Sequence, residues 1–513
     1  MQVNYRQRLF YLLLFTSLLK LLVAGLIDLG NDEVYYYTYA EQLDWSHFDH
    51  PPMVGLLMRL TSLNLHLVNE VTMRLGAIIG SCISTYFIFK IGSVIKSERT
   101  GWFAALIFNC SVYTGIISGL FILPDSPQIP FWVASLYIMS RMIINEEDRK
   151  INLWLLLGLF IGLATLCKVH GLYLWAGFGL FIIIKRIKWL LNWRLYVAVF
   201  ITAICMLPII YWNMQNHFIT YQFHSARVSN HHIQISSFIQ ELIGEFLYQN
   251  PIAFVLIIFS VIYCLKNKNI LASVTNVWLL CMGLPMIFLF WGISLFNSTL
   301  PHWSGPGYIA LFFFAAAYLD EEIQEEKLYP LITKFAGGLI IFVMIAGTAF
   351  IKLAPFNTGS QKVENYGEGC PTLDLSGWKT FSKEFELLVK DDIASGKMNA
   401  NALIVIHNWF PGGHLEFYTS RASKLPVVGI GDLDHLHKFA WLNKVRRKLD
   451  IGNDAYCIVP SNLPFDPMLE YKDYFTTIEQ AIIINQIRGK RVVRYFYVYR
   501  MKNCKIAPEN ILK

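Results

Sequence analysis

The alternation of apolar and polar positions divides the chain into two parts with different rhythms. Up to residue 352, long apolar runs separated by polar connectors lie near 9–27, 75–95, 101–121, 128–144, 152–168, 171–185, 195–213, 251–265, 272–296, 306–319 and 331–352. Most are close to the roughly 20 residues a helix needs to cross the hydrocarbon core, so the pattern predicts about eleven transmembrane helices. Beyond 352 the long runs stop. There ALIVIHNW, LPVVGIG, AYCIVP and VVRYFYVYR, rich in β-branched and aromatic residues, read as strands, whereas FSKEFELLVKDDI and IEQAIIINQI read as helices. The expected architecture is a polytopic α-helical membrane domain over 1–352 and a soluble α/β domain over 353–513.

Lysine and arginine in the short connectors set the orientation. If the N-terminus is inside, the inner segments hold Arg6 and Arg8, Lys96 and Arg99, Arg141, Arg149 and Lys150, Lys185, Arg186, Lys188 and Arg194, then Lys266 and Lys268. The outer short loops hold few basic residues. The inner segment DEEIQEEK at 320–327 is acidic, but acidic residues count little in this rule. The expected topology is N-terminus in the cytoplasm and C-terminal domain outside, with a first outer loop over 28–74. Because no A-x-A site follows the first run, it reads as an uncleaved helix.

Composition agrees with the pattern. The 513 residues are 55% hydrophobic and only 15% charged, against about 25% charged in soluble domains. Basic residues of membrane proteins usually crowd the cytoplasmic connectors, so the net charge of +7 does not call for a nucleic-acid partner. Of nine cysteines, six fall in or beside apolar runs. Cys370, Cys457 and Cys504 lie in the C-terminal part, where one disulfide is allowed but no zinc spacing occurs. There is no internal repeat and no nucleotide-binding glycine loop.

With this topology, the polar residues capable of chemistry gather on the outer side. Asp32, Glu33, Tyr35, Asp49 and His50 lie in the first outer loop, Asp125 at the second outer turn, and Lys168 and His170 at the third. His217, His224 and Arg227 lie in the fourth, followed by His231 and His232, and His302 and Trp303 in the fifth. A loop of about 45 residues is usually functional, and its EVYYYTYAEQL and MVGLLMRLTSLNLHLV stretches can form amphipathic helices at the interface. Each residue also has a plainer role. Asp32 or Glu33 suits the first turn of a helix, Asp125 a helix start, Lys168 a span end, and the aromatics interfacial anchors. The functional reading comes from their convergence.

That convergence suits a lipid-linked anionic substrate. Asp32 offers a carboxylate to activate an acceptor, with Glu33 beside it as the second catalytic candidate, while Lys168, Arg227, His50 and His302 offer groups to hold a phosphate. Nucleotide sugars are absent outside the cytoplasmic membrane, so an outward-facing transferase needs a donor embedded in the bilayer. A sugar on polyprenyl phosphate meets that need. The competing class is a transporter or flippase of a lipid-linked glycan, but the charges within spans, Lys20 and Lys90, lie towards span ends, and no inverted repeat appears.

The stretch GNDEVYYYTYAEQLDWSHFDHPP resembles the first outer loop of GT-C glycosyltransferases, most closely the group of protein O-mannosyltransferases and lipid A aminoarabinose transferases. The resemblance rests on Asp32–Glu33, the aromatics Tyr35 to Tyr39, Trp45 with Phe48, and His50–Pro51–Pro52. LPDSPQIPFW is similar to a second family motif through Pro124, Asp125 and Trp132, and PGGHLEFYTSR resembles a stretch ending in Phe-Tyr. The resemblance implies a GT-C fold and inverting sugar transfer, with Asp32 as base or positioning acid. It also implies that Asp125 helps shape the site and that basic residues bind the donor phosphate. A divalent ion shared by Asp32 and Asp125 is compatible with it. His50 stands where the aminoarabinose transferase has lysine, and the β-trefoil insert of the mannosyltransferases is missing; the donor sugar and acceptor stay open. The inward edge of the soluble domain is assigned to HNWFPGGHLEFY, whose alternative is a simple strand-to-helix turn.

Overall fold

A computed structural model describes residues 4–229, 232–267, 269–323, 329–509 and 511–512. His231, Lys268 and 324–327 of the acidic connector lie outside the described residues. The chain forms two compact units. The first takes Met1–Leu22 with Asp44–Met344, and the second Val23–Leu43 with Ile345–Lys513.

The predicted apolar runs hold helices, but the run at 101–121 breaks after Cys110 and continues as a π-helical turn, Tyr113–Ile117. The helices are α1 (Tyr5–Leu26), α2 (Asn31–Glu41), α3 (Met53–Thr61), α4 (Glu70–Ile95), α5 (Glu98–Cys110), α6 (Asp125–Ile144), α7 (Ile151–Cys167) and α8 (Tyr173–Lys185). They continue as α9 (Trp193–Gln215), α10 (Ile219–Ala226), α11 (Ile235–Tyr248), α12 (Pro251–Lys266), α13 (Ser273–Ser294), α14 (Gly305–Glu322) and α15 (Leu331–Leu353). By length and composition, α1, α4, α9, α13 and α15 can each cross a membrane alone, and α11 with α12 can do so as a pair bent by 98°. The chain is a multi-pass membrane protein.

Small residues let helices of the first unit approach closely. A Cβ on Gly92 of α4 would lie 2.6 Å from Gly101 Cα of α5, and one on Gly158 of α7 would lie 2.3 Å from the Ala198 oxygen of α9. Hydrocarbon provides no driving force to bury one apolar helix face rather than another, so such close packing does much of the holding together. Lys20 differs from the expectation of a span-end charge. It is buried within α1 and donates to Ser81 Oγ at 2.6 Å.

In the second unit, β1 (Leu403–Ile406) lies between and parallel to β2 (Val427–Gly429) and β3 (Ala455–Pro460). The long β6 (Arg491–Cys504) runs antiparallel to β3 and on its other side to β4 (Phe475–Ile478) and β5 (Ile482–Arg488). One sheet face packs on α16 (Trp378–Ala394), with Phe381 stacked on Phe496 at 4.1 Å and Phe385 edge-on to Tyr456 at 5.2 Å. The other face buries Val405, Val428, Cys457 and Met501 in a core of its own. All nine cysteines are free thiols, Cys370, Cys457 and Cys504 among them.

Two expectations are corrected. IEQAIIINQI forms β5 and the end of β4, not a helix; Ile484, Gln486 and Arg488 alternate inward along β5, which is a strand's period of two. EVYYYTYAEQL is helical but does not lie amphipathically at an interface. It forms α2, buried from Glu33 to Ala40 and contacted within the second unit by α17 (Trp409–His414). A Cβ on Gly413 would meet Val34 Cγ2 at 3.0 Å, Tyr35 packs on Trp409 at 5.1 Å, and Tyr37 meets Phe417 edge-on at 4.9 Å. Four tyrosines within five positions leave the helix no polar face, so it is buried all round. Residues 23–43 therefore group with the C-terminal part, not with the preceding helices as a division at 352 assumed. The second stretch, MVGLLMRLTSLNLHLV, is helical only as far as Thr61; Leu63, Asn64 and Leu65 turn back with positive φ.

Candidate functional site

Asp32, Glu33 and Tyr35 lie in the second unit, and His50, Asp125, Lys168, His170, Arg227, His302 and Trp303 in the first. Asp32 is exposed in the first turn of α2, where the helix dipole favours a carboxylate. Glu33 is buried and turns back, its Oε2 accepting from the Gly30 N–H at 2.9 Å. With glycine at the N-cap, Glu33 supplies the side chain that holds the helix start. Tyr35 is a packing residue between Trp409 and Tyr39.

The first unit gathers the others. Asp125 opens α6, and Lys168 follows the end of α7, where the chain leaves one apolar helix before starting the next. Both are buried. Lys168 Nζ donates to Asp125 Oδ2 at 2.9 Å and Oδ1 at 3.2 Å, and the Tyr113 hydroxyl donates to Oδ1 at 2.8 Å. Gln128 Nε2 donates to the Lys168 carbonyl at 2.9 Å, which ties α6 to that break. A buried ion pair with both partners hydrogen-bonded is well held, whereas either charge alone would be costly.

His50, His170 and His302 lie within electrostatic reach of this pair. Burial, with Lys168 as a further cause, pushes the His50 and His302 imidazoles down to about 4, so both stay neutral hydrogen-bonding groups at physiological pH. The His170 ring lies 5.5 Å from Phe290 and 6.4 Å from Trp303, whose face in turn carries the Arg227 guanidinium at 5.7 Å. Arg227 is exposed. The cluster therefore combines a fixed ammonium, neutral imidazoles and an accessible guanidinium held on an aromatic ring.

Asp125 does not fit a shared divalent ion, because its carboxylate is already engaged by an ammonium and a phenol. Among the described residues, no group of three or more His, Cys, Asp or Glu side chains is arranged to hold a metal.

Sequence reading alone left several buried polar contacts of the first unit unassigned. Tyr113 sits in a π-helical turn, Tyr113–Ile117, and reads there as an ordinary apolar residue. His224, named in the sequence only as one of the fourth-loop histidines, packs 6.1 Å from His50 and lies 2.8 Å from the Asp49 carbonyl. Glu241 and Glu245 on α11 are buried one turn apart; Glu245 accepts from Trp291 at 2.7 Å and Tyr308 at 2.8 Å. Their four-residue spacing was the available signal.

The fold defines the class: a polytopic membrane protein with a GT-C fold and an appended α/β unit. The structure superposes on ArnT from Cupriavidus metallidurans bound to undecaprenyl phosphate with a TM-score of 0.62 and 14% identity, covering 95% of this chain and 97% of that one. The apo form of that protein gives 0.57, covering 96% and 98%. Residues 49–212 match the family model described as dolichyl-phosphate-mannose-protein mannosyltransferase. The lipid A galacturonosyltransferase RgtD of Rhizobium johnstonii is 21% identical over 286 residues, or 55% of this chain; the match spans 59% of that relative's length. Together these show a GT-C fold like that of ArnT, with residues 49–212 similar to the mannosyltransferase family.

Proposed function

We propose that the protein is an inverting glycosyltransferase that takes its sugar from polyprenyl phosphate and delivers it to an envelope lipid or glycan, outside the cytoplasmic membrane of a bacterium. The observation that carries this reading is the buried Asp125–Lys168 pair with neutral His50, His170 and His302 around it, in a GT-C fold. Neutral imidazoles and a fixed ammonium suit a phosphate that gains charge as it leaves. Arg227 is the exposed cation that can meet the donor first.

In this reading the Asp32 carboxylate accepts the proton of the acceptor hydroxyl or amine. The acceptor atom bonds to the sugar C1 as the bond from C1 to the phosphate oxygen breaks. That electron pair leaves with the polyprenyl phosphate, and the configuration at C1 inverts. Lys168 and Arg227 stabilise the departing charge. The likeness to the lipid A galacturonosyltransferase RgtD supports lipid A or a related glycan as acceptor.

The test is mass spectrometry of envelope lipids and glycans from the wild type, a strain lacking the gene, and that strain carrying Asp32→Asn. One sugar-sized mass is expected to vanish without the gene and to stay absent with the variant, although the variant protein is present in membranes. Full restoration by Asp32→Asn removes Asp32 from the mechanism. A transporter would be indicated if the purified protein in detergent transferred no sugar while the cells still depended on it.

A further inference from the structure

The start of α2 is held by residues distant in sequence. Gly30 has no side chain to cap the helix, yet the backbone at Asp28, Leu29 and Gly30 is hydrogen-bonded. The Asp28 N–H donates to the Leu375 carbonyl at 3.0 Å, and Asp28 Oδ2 accepts from the Trp378 N–H at 3.0 Å. The Leu29 N–H donates to the Tyr418 hydroxyl at 2.7 Å. The Leu29 carbonyl lies 3.0 Å from His414 Nε2, which also lies 3.0 Å from the Asp374 carbonyl. Two carbonyls at one ring nitrogen require that nitrogen to carry the proton.

His414 is itself fixed. Its ring stacks on Trp378 at 4.1 Å, and the Arg494 guanidinium lies 4.4 Å from the Trp378 ring. All three side chains are buried, and Arg494 donates to Gln486 and to the Ser376 carbonyl. Burial first, then the charge of Arg494, pushes His414 down to about 3, so it keeps its neutral, donating form. Such a clasp exceeds what a helix start needs, since Glu33 already caps it. What it adds is a fixed position for Leu29, three residues ahead of Asp32.

We propose that His414 and Tyr418 are positioning residues that hold Asp32 where it can take the acceptor's proton. The proposal rests on the reading of Asp32 given above. A misplacement of about 1 Å in a reacting group can cost about 100-fold in rate, so loss of one of the two bonds should be felt in turnover rather than in binding.

The test uses purified full-length protein in detergent and membranes from the strain lacking the gene, which hold both donor and unmodified acceptor. Tyr418→Phe keeps the ring and loses only the hydroxyl. Its maximal rate is expected to fall about 10-fold, with the half-saturating amount of membranes and the melting temperature unchanged. His414→Leu should fall at least as far, and His414→Gln, which can still donate from a side-chain nitrogen, should recover much of the rate. The proposal is overturned if Asp32→Asn is inactive while Tyr418→Phe and His414→Leu work at the wild-type rate. It is equally overturned if their losses follow a drop in melting temperature, which would make the clasp merely structural. If Asp32→Asn itself retains full rate, the assignment of the base fails and the positioning role falls with it, a pattern distinct from the other two.

Discussion

At the scale of single residues, the Asp125–Lys168 pair separates stability from function. Lys168→Ala strands a buried carboxylate, and breaking such a pair typically costs about 3–5 kcal/mol. The double variant Asp125→Asn, Lys168→Met leaves no buried charge, so it is expected to recover most of the melting temperature in detergent while sugar transfer stays lost. Recovery of transfer by the double variant would show that the pair serves only packing. The imidazoles make a second prediction. His50 and His302 sit at about 4 in the folded protein against an ordinary 6.5, so the unfolded chain takes up their protons first as pH falls. Their contribution to stability is complete above about pH 6.5 and is lost as pH drops towards 4. Melting temperature should decline across that window, and the decline should be shallower in His50→Gln, His302→Gln. An unchanged slope would mean that other groups carry the acid sensitivity. Asp125 and Lys168 were legible in the sequence because charges beside long apolar runs stand out. Tyr113 was not, since nothing in YTGII marks a hydroxyl aimed at a carboxylate.

At the scale of elements, legibility followed the length of the pattern. Apolar runs of membrane-spanning length could be read as helices because every backbone group must be satisfied within the segment. Short segments were harder. IEQAIIINQI carries both a polar start and an isoleucine run; only its pairing with β6 settles it as strand, and that partner lies beyond the segment itself. In α2 the chemistry of Asp32–Glu33 was visible, but the division of labour between them was not. The Glu33 side chain caps the helix, so Glu33→Gln, which preserves an acceptor, is expected to keep stability. Glu33→Ala should lose about 1 kcal/mol, read as a lowered melting temperature. If Glu33→Gln abolishes transfer without any loss of stability, the glutamate has a chemical role beyond its cap.

At the scale of the whole molecule, the second unit is discontinuous in sequence, and this has a consequence for how it folds. Composition changes at 352, so the sequence suggests a self-contained domain from 353 onwards. Yet α2, more than 300 residues earlier, presents Val34, Tyr35 and Tyr37 to Gly413, Trp409 and Phe417. Its Glu41 pairs with Arg446 at 2.8 Å, and Arg446 also pairs with Glu416. Without α2, Arg446 keeps one carboxylate of its two, and the aromatic surface that α2 covers is open to water. Burial of a single large side chain is worth about 1.5–3 kcal/mol, and domains of this size are stable by only about 5–15 kcal/mol, so losing several such contacts removes much of the margin. A fragment of residues 353–513 is therefore expected to melt without cooperativity and to bind a hydrophobic dye. Joining residues 28–43 to it through a flexible linker should restore a single sharp transition followed by circular dichroism. Cooperative melting of 353–513 alone, at the temperature of the joined form, would show that α2 docks on a domain already complete. A sharp transition only in the joined form would make the carboxylate-bearing helix part of the fold it rests on, which explains why its position was not legible from the first outer loop taken alone.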